Sequence, residues 1–119
     1  MNDSSGIDPT GLARLNKIGG PVFVRRMIDL FLEEAPDRLA AARKGEETGD
    51  LTAVAEAAHS LKSSAQNFGA SGLSRIAAEI ESRMQSNQCE NLSSLLDEIE
   101  AAYDTARTWL ERERDALKL

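Results

Sequence analysis

The chain has 119 residues, of which 41% are hydrophobic, 29% charged and only 4% aromatic. That length suits one domain with a buried core that needs neither disulfides nor metal, and apolar positions filled by Ala and Leu favour helices over sheets. A formal net charge of −6, with basic residues interleaved among acids as in Arg112-Glu113-Arg114-Asp115, argues against a nucleic-acid surface.

Residues 1–6 read as a disordered leader. Met1–Gly6 lacks the basic start and apolar centre of a signal peptide, and no apolar run approaches the roughly 20 residues of a membrane span, so no membrane contact and a cytoplasmic location are expected. Residues 7–119 read as a single domain. Asp8-Pro9 has the order of a helix start, cap then first-turn proline, and Leu12, Leu15 and Ile18 draw a short apolar face that Gly19-Gly20 ends.

Pro21 opens the next helix, with Phe23, Met27, Leu30, Phe31, Leu39 and Ala42 at helical spacing before an end near Gly45–Gly49. Pro36 lies inside it. A proline there loses one backbone hydrogen bond and crowds the preceding turn, at about 3 kcal/mol, so a kink is expected around Glu33–Asp37. Asp50 is suited to cap a third helix whose seam is Leu51, Val54, Ala58, Leu61, Ala65 and Phe68, with Gly69 placed to end it. Ser71 is expected to cap a fourth, with Leu73, Ile76, Ala77, Ile80 and Met84 inward.

A polar loop over 86–90 follows. Asn91 can cap the last helix, along which Leu92, Leu95, Leu96, Ile99, Ala102, Tyr103, Ala106 and Leu110 run, with Trp109 beside the stripe. No strand-like alternation and no internal repeat is present. The expected fold is all-α, an antiparallel four-helix bundle with a short N-terminal capping helix. Cys89 stands alone in a polar stretch, so neither a disulfide nor a Cys/His zinc site can be assembled.

The single histidine, His59, follows the seam residue Ala58 by about 100° around the helix, which puts its ring at the edge of the buried stripe and within reach of water. Ala55 and Ser63, four residues to either side, are too small to cover it. Lys62 at i+3 can bring an ammonium close, and the open face comprises Ala55, Glu56, His59, Lys62, Ser63 and Gln66. Such a set suits transient phosphoryl carriage: neutral imidazole can attack a phosphoryl donor through one ring nitrogen, and Lys62 can balance the incoming charge. Ser63 or Gln66 could add a hydrogen bond, and Glu56 could orient the ring through its other nitrogen.

The face does not read as a self-sufficient enzyme. A lysine about 4 Å from a phosphoryl oxygen contributes roughly 4 kcal/mol at an effective dielectric of 20, whereas enzymes commonly remove ~8 to 23 kcal/mol from a barrier. No Gly-rich phosphate loop with a following Gly-Lys-Ser/Thr is present, nor a dinucleotide fingerprint. The adjacent acids Glu33-Glu34 and Glu46-Glu47 point to different sides of a helix, which speaks against a paired-carboxylate hydrolase. Phosphoryl transfer commonly relies on Mg²⁺, and this face has no cluster of acids to hold it. The metal and its acids are therefore expected on a partner, with no metal or other cofactor on this chain.

His59-Ser60-Leu61-Lys62-Ser63-Ser64-Ala65, followed by Asn67-Phe68-Gly69-Ala70, resembles the signature of histidine-containing phosphotransfer (HPt) domains. The likeness extends from Ile7 to about Leu110. It implies that His59 is the phosphorylated residue, that Lys62 supports the phosphate and that Gly69 is structural. The implied partners are receiver domains of response regulators and hybrid sensor kinases, whose aspartates give and take the group in a two-component phosphorelay, with this chain acting as a monomer. One position departs from the family pattern, Ser63 standing where the motif usually has glycine; serine is still small enough to leave the histidine accessible. The competing reading is a helical-bundle adaptor that binds signalling partners through the same face without being phosphorylated.

Overall fold

A computed structural model describes residues 6–119 as four helices, with no strand among the described residues. They are α1 (Thr10–Thr48), α2 (Leu51–Phe68), α3 (Ser71–Gln85) and α4 (Leu92–Asp115). α2 packs against α1 and α3, and α4 closes the ring by packing against α3 and α1. The result is an antiparallel bundle measuring 45 × 28 × 21 Å. Among the described residues, no helix is long and apolar enough to cross a membrane.

The two helices expected at the N-terminus form one element broken at Gly20, whose φ of 81° and ψ of 178° lie outside the helical region. This is the capping helix and its hinge. Asp8 accepts from the Thr10 N–H at 3.0 Å while Pro9 occupies the position before the first helical residue. Leu12 and Leu15 are buried, but Ile18, in the last turn before the break, is 69% exposed. Leu30 is likewise exposed rather than inward. Pro36 lies within helical backbone, Gly20 being the non-helical position of α1, and Phe31, Ala35 and Ala42, buried on either side of the proline, hold its flanks in the bundle.

The connections are short and chemically distinct. Gly49 ends α1 at φ 74°, and Asp50 caps α2 by accepting from the Ala53 N–H at 3.0 Å. Gly69, at φ 80°, ends α2. Ser71 is not the cap of α3; Ala70 takes that position, and the Ser71 hydroxyl instead donates to the Gly6 carbonyl at 2.9 Å. Asn91 stands at the start of α4 in the left-handed region, without a side-chain cap bond. Of the expected disordered leader, residues 1–5 lie outside the described residues, whereas the Gly6 carbonyl also accepts from the Gly72 N–H at 2.7 Å.

Inside the ring, Phe31 of α1 meets Phe68 of α2 at 5.2 Å between ring centres and Tyr103 of α4 at 5.8 Å, both tilted. Val54, Ala58, Leu61, Ala65 and Phe68 bury the α2 seam, and Leu73, Ala77, Ile80 and Met84 bury that of α3. Burying a leucine or isoleucine contributes roughly 1.5 to 3 kcal/mol, so these seams fix how each helix is rotated. On the α1–α4 side, Arg43 holds Glu100 through two hydrogen bonds of 2.9 and 3.0 Å and also reaches Asp97. Its guanidinium is pushed further into the charged form, first by the Glu100 bonds and then by Asp97.

The turn at Gly69 is held from outside by the N-terminal segment, where the Asp8 N–H donates to the Gly69 carbonyl at 2.6 Å. A Cβ at Gly69 would run into the Asp8 carbonyl oxygen, whereas one at Gly49 would meet open space. Gly69→Ala is expected to destabilise the protein by about 1 to 3 kcal/mol and Gly49→Ala by less, because the second change costs only the left-handed conformation. Urea unfolding of the two variants checks this ranking.

Candidate functional site

His59 sits midway along α2, one residue past buried Ala58, and its side chain is 60% exposed at the α2–α3 seam. Burial of Ala58 and Leu61 on one face of the helix turns the ring outward. Ala55, half-buried, and Glu56, exposed, lie one turn before it, and Ser63, exposed, one turn after. The expected edge position and small neighbours are both present.

The ring is held from across the seam. Its Nδ1 lies 2.8 Å from Oε2 of Glu81 on α3, while the other carboxylate oxygen, Oε1, accepts from Lys62 Nζ at 2.6 Å. One carboxylate thus joins the histidine and the lysine. The Glu81 side chain is 14% exposed, and Ile80 beside it is buried in the core. The Lys62 ammonium, then burial in the opposite sense, then His59 act on the Glu81 carboxyl, with a net lowering below its ordinary value of 4.5.

That ionisation decides the tautomer. A carboxylate can only accept hydrogen bonds, so Nδ1 must carry the proton that lies between the ring and Glu81. In the neutral ring the free lone pair is then on Nε2. Nε2 is thus the ring atom with the chemistry of a nucleophile.

Beside the histidine lies an open cleft of about 440 Å³ lined by residues of α2 and α3 and the turn after α3, including Leu51, Ala55, Glu56, Glu81 and Met84. Its lining mixes apolar Leu51, Ala55 and Met84 with polar Thr52, Glu56 and Glu81. The structure brings His59, Lys62 and Glu81 into direct contact and sets Ala55 and Glu56 on the cleft wall. Glu56, expected to orient the ring, is replaced in that role by Glu81, which reaches Nδ1 from the neighbouring helix. Seven residues beyond His59, Gln66 lies about 10 Å further along the axis and is not brought to the ring. Among the described residues, neither Ser63 nor Gln66 has a side-chain hydrogen-bond partner, and no group of His, Cys, Asp or Glu is arranged to hold a metal ion.

A model of the Hpt domain family matches residues 26–109, a span that includes the whole of α2 and α3 and most of the rest of the bundle. The chain belongs to the Hpt domain family, and so is a histidine phosphotransfer protein of phosphorelay signalling. Its fold is similar to the crystal structure of histidine-containing phosphotransfer protein B (HptB) from Pseudomonas aeruginosa PAO1. The TM-score is 0.90 at 22% sequence identity, covering 98% of this chain and 100% of that one. No curated protein sequence matches the chain.

Because Glu81 is held ionised in the folded state, it links stability to pH. Its contribution is fully present above the ordinary carboxyl value of 4.5 and is lost as pH falls from there through the lowered folded value. Wild type is therefore expected to exceed Glu81→Gln in stability at neutral pH and to lose that margin on acidification. Unfolding curves at a series of pH values measure it; a margin that does not change between neutral and acid pH would count against the Lys62–Glu81–His59 linkage.

Proposed function

We propose that His59 is the residue of this chain that carries the phosphoryl group, through Nε2, between aspartates of receiver domains. The observation that carries the reading is the exposed ring of the chain's single histidine, held at Nδ1 by Glu81 so that Nε2 faces the open side of the bundle. Lys62 is the phosphate-supporting cation. Ser63, one turn from the ring, is a secondary contributor to the phosphate, and Gln66, a further turn away, contributes through the docking face.

Receiver domains of response regulators and hybrid sensor kinases dock over Ala55, Glu56, His59, Lys62, Ser63 and Gln66, with the adjoining cleft taking part of their surface. The chain acts as a cytoplasmic, monomeric carrier and depends on its partner for the Mg²⁺ and acidic groups that complete phosphoryl transfer. The small electrostatic contribution of one lysine supports that division. A charge-assisted hydrogen bond contributes about 1.5 to 3 kcal/mol, far below a typical enzymatic barrier reduction of ~8 kcal/mol or more.

Incubation with a phosphorylated receiver domain tests the assignment. Wild type is expected to gain acid-labile, alkali-stable phosphate, and His59→Gln none; equal labelling of the two would remove His59 from the role, and no labelling of either would favour an unphosphorylated adaptor. Lys62→Ala is expected to slow uptake roughly ten- to a hundredfold, the kinetic equivalent of one charge-assisted hydrogen bond. Ala55→Arg places bulk and charge on the cleft wall and is expected to slow transfer while the helical circular dichroism stays as in wild type. Normal transfer by that variant would place the receiver elsewhere.

A further inference from the structure

The carboxylate that orients the ring also bears on the return step, in which the phosphoryl group leaves. We infer that Glu81 is a positioning residue that keeps a proton on Nδ1 of His59 in the phosphorylated ring as well as in the free one, so that the ring departs from phosphorus as neutral imidazole. This rests on His59 being the phosphoryl acceptor.

The two steps balance without another reactant. On uptake, the Nε2 lone pair forms the N–P bond, the P–O bond to the receiver's aspartate breaks, and its electron pair leaves with the carboxylate. The ring then bears phosphorus on Nε2 and hydrogen on Nδ1, and carries a positive charge beside Glu81. If that proton were lost to water, the leaving group of the reverse step would be an imidazolate, a far poorer one. With the proton kept, an aspartate oxygen attacks phosphorus, the P–N bond breaks, and the electron pair returns to Nε2. Glu81 Oε2, 2.8 Å from Nδ1, is placed to retain the proton throughout.

Lys62 makes this arrangement compatible with an incoming anion. A bare carboxylate next to the ring would repel a phosphoryl group, but Lys62 Nζ lies 2.6 Å from Oε1 and offsets that charge. An ammonium has three protons, so one can stay with Glu81 while the others face the phosphoryl oxygens. The charged groups around the ring are Glu56 and Lys62 from α2 and Glu81 from α3, and the cleft takes no residue from α1 or α4. Arg83 of α3 is paired with Glu79 one turn back on its own helix.

Two measurements test the inference. With no other histidine in the chain, ¹⁵N shifts of the imidazole report one ring. Unphosphorylated wild type with a neutral ring is expected to show the Nδ1–H form, and Glu81→Ala to move towards the Nε2–H form that free imidazole side chains favour. Wild type already in the Nε2–H form would overturn the inference. In the second measurement, phosphorylated protein is mixed with an unphosphorylated receiver domain across a pH series. Glu81→Gln, which keeps the shape of the side chain, is expected to match wild type near pH 6 and to fall about tenfold behind near pH 8, the scale of a weakened charge-assisted hydrogen bond. A purely structural role would lower the rate at every pH, and superimposed profiles would leave Glu81 without this role; either result overturns the inference while leaving His59 as carrier. Failure of wild type to take up any phosphoryl group would instead remove the carrier reading and this inference with it.

Discussion

The rotation of α2 about its own axis is the constraint on which the site depends. Val54, Ala58, Leu61, Ala65 and Phe68 are all buried against α1 and α3, and a helix with so many contacts on one stripe cannot turn without exposing several of them. At roughly 1.5 to 3 kcal/mol for each large apolar side chain, a turn large enough to bury His59 would cost more than the marginal stability of a small domain allows. The exposed ring is thus a consequence of the core. Phe31 and Phe68, 5.2 Å apart, fasten the C-terminal end of α2 to α1, and the bond Asp8 donates to Gly69, with those Gly6 accepts from Ser71 and Gly72, fastens the α2–α3 turn from outside.

Charge is distributed around the ring of helices in two different ways. On the α1–α4 side, Arg43 is committed to Glu100 and Asp97, and Arg114 to Asp29 at 2.9 Å, so the ions there tie helices together and leave little capacity for a ligand. On the opposite, α2–α3 side, Glu81 also bridges two helices, but both of its partners retain unused capacity. His59 keeps Nε2 free, and Lys62 keeps further protons. The same kind of ion pair therefore braces one seam and arms the other. What separates them is the chemistry of the cation: a guanidinium fills its fork with carboxylate oxygens, whereas an imidazole and an ammonium each satisfy Glu81 with a single proton.

Much of this was legible in the sequence because it lies within single helices. The seams of α2, α3 and α4, the turns at Gly49 and Gly69, the Asp50 cap and the edge position of His59 all follow from spacings of three and four and from residues whose local chemistry ends or starts a helix. What failed depended on neighbours outside the element. Ser71 has the right chemistry for a cap, but its hydroxyl is taken by Gly6, a residue 65 positions away. Ile18 and Leu30 fit the apolar period but face water, because periodicity gives a stripe and not the width of the surface that will cover it.

Glu81 is not legible from the histidine's own helix, where Glu56 is the nearest acid in sequence. A signal was nevertheless present. His59 is one residue beyond the buried Ala58, and Glu81 is one residue beyond the buried Ile80, so the two occupy matching edges of their helices. They also lie at similar distances from Gly69, before and after the turn, and in an antiparallel helix pair residues equally far from the connection come face to face. His59 lies ten residues before Gly69, with Glu79 ten and Glu81 twelve after it; of these two acids, only Glu81 directly follows a buried residue, as His59 does. The chemistry of the site is set by that register: shortening or lengthening the Gly69–Ala70 connection by one residue would rotate α3 by about 100° and carry the carboxylate away from both His59 and Lys62. The tight hold of the N-terminal segment on this turn, through Asp8 and Gly6, therefore belongs to the site as much as to the fold.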